Sequence, residues 1–154
     1  MRYAPFLVSA LLLSSIYVIT SSTPVLAADE NVVVVAADEL NAASGNNRFV
    51  VWSDKTPGNY DVFVRRSTDN GATWKPVKNL SNNAGISEIP QIAVSGSNVY
   101  VTWRDTAPGN ADMLFRRSTD NGATWKAVVN LSNNAGHSIK PQVYVSGSNV
   151  SWMK

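Results

Sequence analysis

Two carboxylates in this chain, Asp69 and Asp120, sit in identical surroundings: RRSTDNGATWK runs over Arg65–Lys75 and again over Arg116–Lys126. A lone carboxylate among Ser, Asn, Gly and Thr is equipped to accept hydrogen bonds from nearby N–H and O–H groups and so close a turn. Gly71 and Gly122 supply the positive φ that such a turn demands. Ser67 and Thr73, or Ser118 and Thr124, can bond across it, and Trp74 or Trp125 brings a large apolar surface to the sheet beneath. Metal chemistry is poorly served. A calcium loop needs several carboxylate oxygens at alternating positions and a distal Glu, and each run holds one acid with no Glu near it. These ten residues therefore read as two structural clasps, and no metal site is expected.

The remaining reactive groups are few. Past the first 27 residues there are three tyrosines (Tyr60, Tyr100, Tyr144), three glutamates (Glu30, Glu39, Glu88) and His137. Tyr60 becomes Ala111 in the second copy of the surrounding sequence. Tyr100 falls in mid-strand, where a core-facing ring is the ordinary expectation, and His137 falls in a loop. No catalytic residue is named. The chain has no cysteine, which removes thiolate-metal and disulfide chemistry; no cofactor is expected.

The duplication extends well beyond the clasps. Sliding Arg48–Asn98 onto Val99–Asn149 without a gap gives 34 identities in 51 positions, and self-similarity at a fixed period marks a repeat architecture. Within one copy, Asn98–Arg104 alternates Val99, Val101 and Trp103 with Tyr100, Thr102 and Arg104, the period of a strand. Pro90–Ser95, Ala111–Ser118 and Thr124–Leu131 read as three more strands, separated by Gly/Ser/Asn, Pro-Gly-Asn and Asp-Asn-Gly turn signals. Each unit is then a four-stranded meander with the clasp between its third and fourth strands. Pro76 suits an outermost fourth strand. Val32–Ala36 is strand-like but outside the register, and Leu40–Ser44 is a feeble first strand. The divisions are 1–27, a leader; 28–47, a strand-like segment; 48–98 and 99–149, the repeats; and 150–154, the truncated start of another. In that last piece Ser151–Lys154 stands where a second strand should run on.

On these residues the chain resembles the bacterial neuraminidase (BNR) or Asp-box repeats of sialidase-like β-propellers. Both copies match S-x-D-x-G-x-T-W at every defining position, and the likeness spans about Glu39–Asn149. The resemblance implies an all-β fold of two four-stranded antiparallel Asp-box blades. Propellers close with roughly four to eight blades, so the chain reads as an incomplete or fragmentary propeller, with self-association as one way to complete it. Sialidases use a tyrosine nucleophile, and the resemblance would add a partnering Glu, an acid/base Asp and three arginines. The family's Phe/Tyr-Arg-Ile/Leu-Pro motif is missing: Asn47-Arg48-Phe49-Val50 has neither its order nor its proline.

Strand parity puts the Asp-boxes at one end of each blade and the Asp54–Asn59, Asp105–Asn110, Ser81–Ile89 and Ser132–Lys140 loops at the other. The copies vary on that second face, at Ile86/His137, Glu88/Ile139 and Ile89/Lys140, which makes Glu88, His137 and Lys140 the candidate binding residues. Three function classes stay open: a non-catalytic module that binds glycan or protein, an exo-alpha-sialidase-type glycoside hydrolase, and a structural cell-surface component. Asn79-Leu80-Ser81, Asn130-Leu131-Ser132 and Asn149-Val150-Ser151 match the N-glycosylation pattern.

Arg2, the apolar run Ala4–Thr20 and the Val25-Leu26-Ala27 end form a secretory signal, cleaved after Ala27. The exported chain keeps 12 Lys and Arg against 11 Asp and Glu, a balance with no electrostatic footprint for nucleic acid. A secreted or cell-surface location follows, without stable membrane insertion once the leader is removed. Intact-mass measurement of secreted material should give a chain beginning at Ala28; recovery of the full-length chain from membranes would refute the cleavage.

Overall fold

The computed structural model describes residues 34–35, 39–56, 58–133, 135–138, 140–146 and 149–153. The leader, 1–27, and Ile139 of the candidate loop face lie outside the described residues. Strands β1 (Val34–Val35), β2 (Glu39–Ser44), β3 (Asn47–Asp54), β4 (Asp61–Ser67) and β5 (Lys78–Asn79) form one sheet in chain order. A second sheet follows from β6 (Ser87–Ser95), β7 (Asn98–Asp105), β8 (Asp112–Ser118) and β9 (Val129–Asn130), and then a hairpin of β10 (Gln142–Ser146) and β11 (Asn149–Met153). Every pairing is antiparallel. The all-β expectation of two four-stranded meanders holds, the first widened by β1.

Pleating sends successive side chains to opposite faces, and that alternation decides how the sheets stack. In the first sheet Leu40, Ala42, Phe49, Val51, Val62 and Val64 share a buried face; in the second, Ile92, Val99, Val101, Trp103 and Leu114 do. The two faces meet in one core, closed by Leu80 and half-buried Trp125. Val51, Val62, Leu80, Val99, Val101 and Trp103 are all 0% exposed, and each large apolar side chain so buried contributes roughly 1.5–3 kcal/mol. The opposite face of the second sheet, with Ala93 and Tyr100, packs on Val143 of β10, flanked by Val145 and Val150. Tyr100 stacks on Phe115 at 6.3 Å. Sheet, sheet and hairpin therefore lie in series.

The structure corrects the expected extent of several strands. Thr124–Leu131 is not strand throughout, because only Val129–Asn130 pairs, as only Lys78–Asn79 does in the first copy. The stretch just after each clasp keeps one backbone bond to the third strand, Lys75 N to Arg66 O at 2.8 Å and Lys126 N to Arg117 O at 2.9 Å, and is held as well by that strand's arginine. Arg65 Nε donates to the Lys75 carbonyl at 3.0 Å and Arg116 Nε to the Lys126 carbonyl at 2.7 Å, which takes those acceptors away from the ladder. Very short outer strands also leave little open edge. The feeble first strand is six full residues in register with β3. Past Asn149 the chain does run on as a strand, to Met153, paired along its length with β10. A register shift between Glu88 and Gln91 bends β6, and Ile89 within it has φ +54°, a strained value for a β-branched residue.

The two clasp glycines have positive φ, +91° at Gly71 and +76° at Gly122, but different neighbours. A Cβ on Gly122 would lie 3.0 Å from Cε1 of Phe49 in the other sheet, whereas one on Gly71 meets only its own Trp74, at 3.8 Å. Alanine at either position should cost roughly 1–2 kcal/mol from the left-handed backbone alone. Gly122→Ala should cost more in urea denaturation because it also disturbs the sheet–sheet contact. Equal losses would show that Phe49 yields freely.

Candidate functional site

Each clasp is a closed set of hydrogen bonds. Ser67 Oγ donates to Asp69 Oδ1 at 2.6 Å and accepts from Gly71 N at 2.8 Å. Asp69 Oδ1 accepts from Thr73 N at 2.8 Å and Oδ2 from Thr73 Oγ1 at 2.5 Å. Ser118, Asp120, Gly122 and Thr124 repeat the set at 2.7, 2.8, 2.9 and 2.6 Å. The serine, rather than the aspartate, caps the glycine N–H, and Asn70 and Asn121 join the glycines at positive φ. Asn70 N donates to Asn46 O and Asn121 N to Ser97 O, so each clasp is tied to the turn between its blade's first two strands. The Ser67 hydroxyl, then Thr73, holds the Asp69 carboxyl down at about 2, and Thr124 and Ser118 lower that of Asp120 as well. A carboxylate whose lone pairs are filled by fixed donors closes a turn.

Among the described residues, only the second clasp also ties blade to blade. Arg66 Nη1 donates to Asn121 O at 2.9 Å and Asn47 Nδ2 to Asn121 Oδ1 at 3.2 Å, while Arg116 Nη1 crosses to Leu80 O at 2.8 Å.

A second repeated lock holds the opposite end. Buried Asp61 accepts from Asn79 Nδ2 at 2.7 Å and Ser81 Oγ at 2.9 Å, and Ser81 Oγ accepts from Val62 N. Asp112, Asn130, Ser132 and the N–H of Met113 do the same in the second blade. Sequence reasoning noticed Asn-Leu-Ser only as a glycosylation pattern; the signal for the lock was the co-repetition of Asp61 and Asp112 at the same offset. Asp105, 0% exposed, accepts from Asn83 Nδ2, Ser87 Oγ, Trp103 Nε1 and Ala107 N, all within 2.7–2.9 Å. Its counterpart Asp54 is bonded to Thr56 at the loop surface.

The candidate loop residues are not drawn into one site by the bonds they make. Glu88 pairs with Arg104 at 3.1 Å. His137 is exposed and accepts from Ala111 N at 3.4 Å, and Lys140 is exposed. The tyrosines are engaged separately: Tyr60 beneath Lys55 at 5.9 Å, Tyr100 on Phe115, and Tyr144 donating to Gln142.

A groove of about 310 Å³ opens on the outer face of the first sheet, lined by Val50, Trp52, Arg65, Trp74 and Val77. Trp52 stacks on Phe63 at 5.9 Å and 24°. The second-copy counterparts Val101 and Trp103 are buried against the first sheet. Around the groove, however, Asn41, Ala43 and Arg48 stand where the second copy has Ile92, Val94 and Val99. This outer face is an aromatic strip in polar surroundings.

Meanders stacked face to face, each clasped at its third turn, define a protein built from propeller-type blades. Two stretches, 65–76 and 116–127, match the model of the BNR/Asp-box repeat. The chain thus carries the BNR/Asp-box repeat twice, and its antiparallel sheets accord with sialidase-like blades. No curated protein matches it in sequence.

Because the Asp69 carboxyl titrates lower folded, at about 2, than unfolded, at about 3.9, its clasp favours the fold above that unfolded value. The contribution fades as pH falls from about 4 towards 2. Asp69→Ala should lower Tm at neutral pH by a few degrees and flatten the Tm–pH curve in that window. A variant melting like wild type across the range would remove the clasp from the fold's supports.

Proposed function

We propose that this chain is an exported, non-catalytic glycan-binding module built from BNR/Asp-box blades. The groove of Trp52, Trp74 and Arg65 is its binding surface. Export rests on the leader at 1–27, and the binding role rests on one observation. A face whose counterpart is buried in the second blade here keeps its tryptophans but exchanges its aliphatic neighbours for Asn41 and Arg48. A face shaped only to receive another blade has no use for those polar groups. A sugar ring has: its C–H face lies on an indole while its hydroxyls meet amide and guanidinium donors, the pairing of flat apolar body and polar rim that Trp and Arg serve well. Arg65 is exposed, with its Nε fixed on Lys75 O, which steadies the guanidinium beside the groove. The hydrolase alternative is weakened by the engagements of the tyrosines and by the pairing of Glu88 with Arg104, because a tyrosine nucleophile needs a carboxylate at hand.

Glycan-array binding of the exported chain, compared with Trp52→Ala and Trp74→Ala, tests this. Each substitution should weaken binding by about tenfold or more, and no sugar should be released. Binding indifferent to both would move the site elsewhere, and sugar release that copurifies with the protein would favour the hydrolase.

A further inference from the structure

We propose that a second site, the cleft between the two sheets, binds a single oxyanion, a sulfate or carboxylate group, through Arg66, Lys75 and Lys78, beside Trp125. This cleft is separate from the glycan groove, which lies on the other face of the first sheet. The cleft holds about 160 Å³. Phe49 belongs to its first-sheet wall, while Gly122 and Trp125 come from the second clasp. Three cations line it and no carboxylate does. The acid of the adjoining clasp, Asp120, is occupied by Ser118 and Thr124. Like charges gathered on one hollow repel, and an anion among them relieves that repulsion.

Two further observations point to a ligand. The Nε1 of Trp125 is buried without a hydrogen-bond partner, and a buried donor left unpaired is costly enough that native structures seldom keep one. Trp125 lines the cleft, so the indole that carries this donor borders the space an oxyanion would fill. Lys78, moreover, stands where the second blade has Val129. An edge lysine can serve merely to guard a strand, but Lys78 shares this hollow with Lys75 and with Arg66, whose Nη1 is already fixed on Asn121. One donor set is thereby preorganised, and Arg forks suit paired oxygens. The space is small but holds one charged group with some solvent. The anion is free in solution or is a substituent of an acidic glycan; the chemistry is shared.

Bound there, the anion would join the first sheet's cations to the second sheet's clasp and stabilise their union by mass action. The test is titration of the exported chain with sodium sulfate, sodium glucuronate and glucose at constant ionic strength, following the Trp125 indole N–H resonance, assigned with Trp125→Phe, and Tm. Saturable shifts are expected with one or both anions and none with glucose; the stronger anion tells which source the site prefers. Lys75→Gln with Lys78→Val should weaken the response about tenfold or more. Should that pair fail to fold, Lys78→Val alone, which installs the second blade's own residue, should weaken it in the same direction. Non-saturating shifts, or equal shifts in wild type and variants, would mean a general salt effect and overturn the site. Failure here leaves glycan-array binding through Trp52 and Trp74 untouched, so the two readings fall separately.

Discussion

A four-stranded meander has two faces and can bury neither by itself; everything else in this molecule follows from how that constraint is met. The first sheet covers one face with the second sheet, and Trp103, Val101 and Val99 lose all contact with water in the process. The second sheet covers its other face with the β10–β11 hairpin. The first sheet's outer face has no such cover among the described residues, and there the sequence turns polar around its tryptophans. There Asn41 and Arg48 stand where the second copy has Ile92 and Val99.

Burial alone would not keep such short outer strands in place. Two polar locks per blade do so, one at each end of the third strand. Asp69 or Asp120 closes the turn that leads out of that strand, and Asp61 or Asp112 anchors the segment that returns beside its start. Interior carboxylates are tolerable when their oxygens are filled by hydrogen bonds, and Asp105 with its four donors is the extreme case here. These acids hold the shape of the blade, which leaves recognition to the surfaces between and outside them.

Period-two alternation and the 51-residue offset made the strands, the stacking of faces and the clasps legible in the sequence. The turn at Asp69 could be read because its residues are contiguous. The lock of Asp61 with Asn79 and Ser81 was marked only by its repetition at the same offset, because its members are far apart in sequence and meet only after the third strand pairs. The brevity of β5 and β9 was hidden for a related reason: Trp74–Leu80 has strand-like composition, yet arginine side chains reach its Lys75 and Leu80 carbonyls. Parity located the loop face, but the bonds at Glu88 and His137 depend on loop paths that no periodicity describes. The groove emerged from comparing equivalent positions in the two copies, such as Asn41 with Ile92, once the structure had shown which face each occupies.

The identity of RRSTDNGATWK in both blades carries a consequence for how the chain finds its structure. Eleven matching residues give the two hairpins the same local code, so each is competent to seat in the other's place while the chain is still collapsing. Adjacent repeats of high identity are prone to that kind of misassembly. Discrimination falls to positions where the copies part, among them Asn41 against Ile92, Arg48 against Val99, Phe49 against Tyr100 and Lys78 against Val129. A transposed arrangement would bring Arg48 and Asn41 into the dry interior and expel Val99 and Ile92 to solvent. Those substitutions therefore act as address labels, and the cost of burying the charged Arg48 guanidinium is what rejects the wrong delivery.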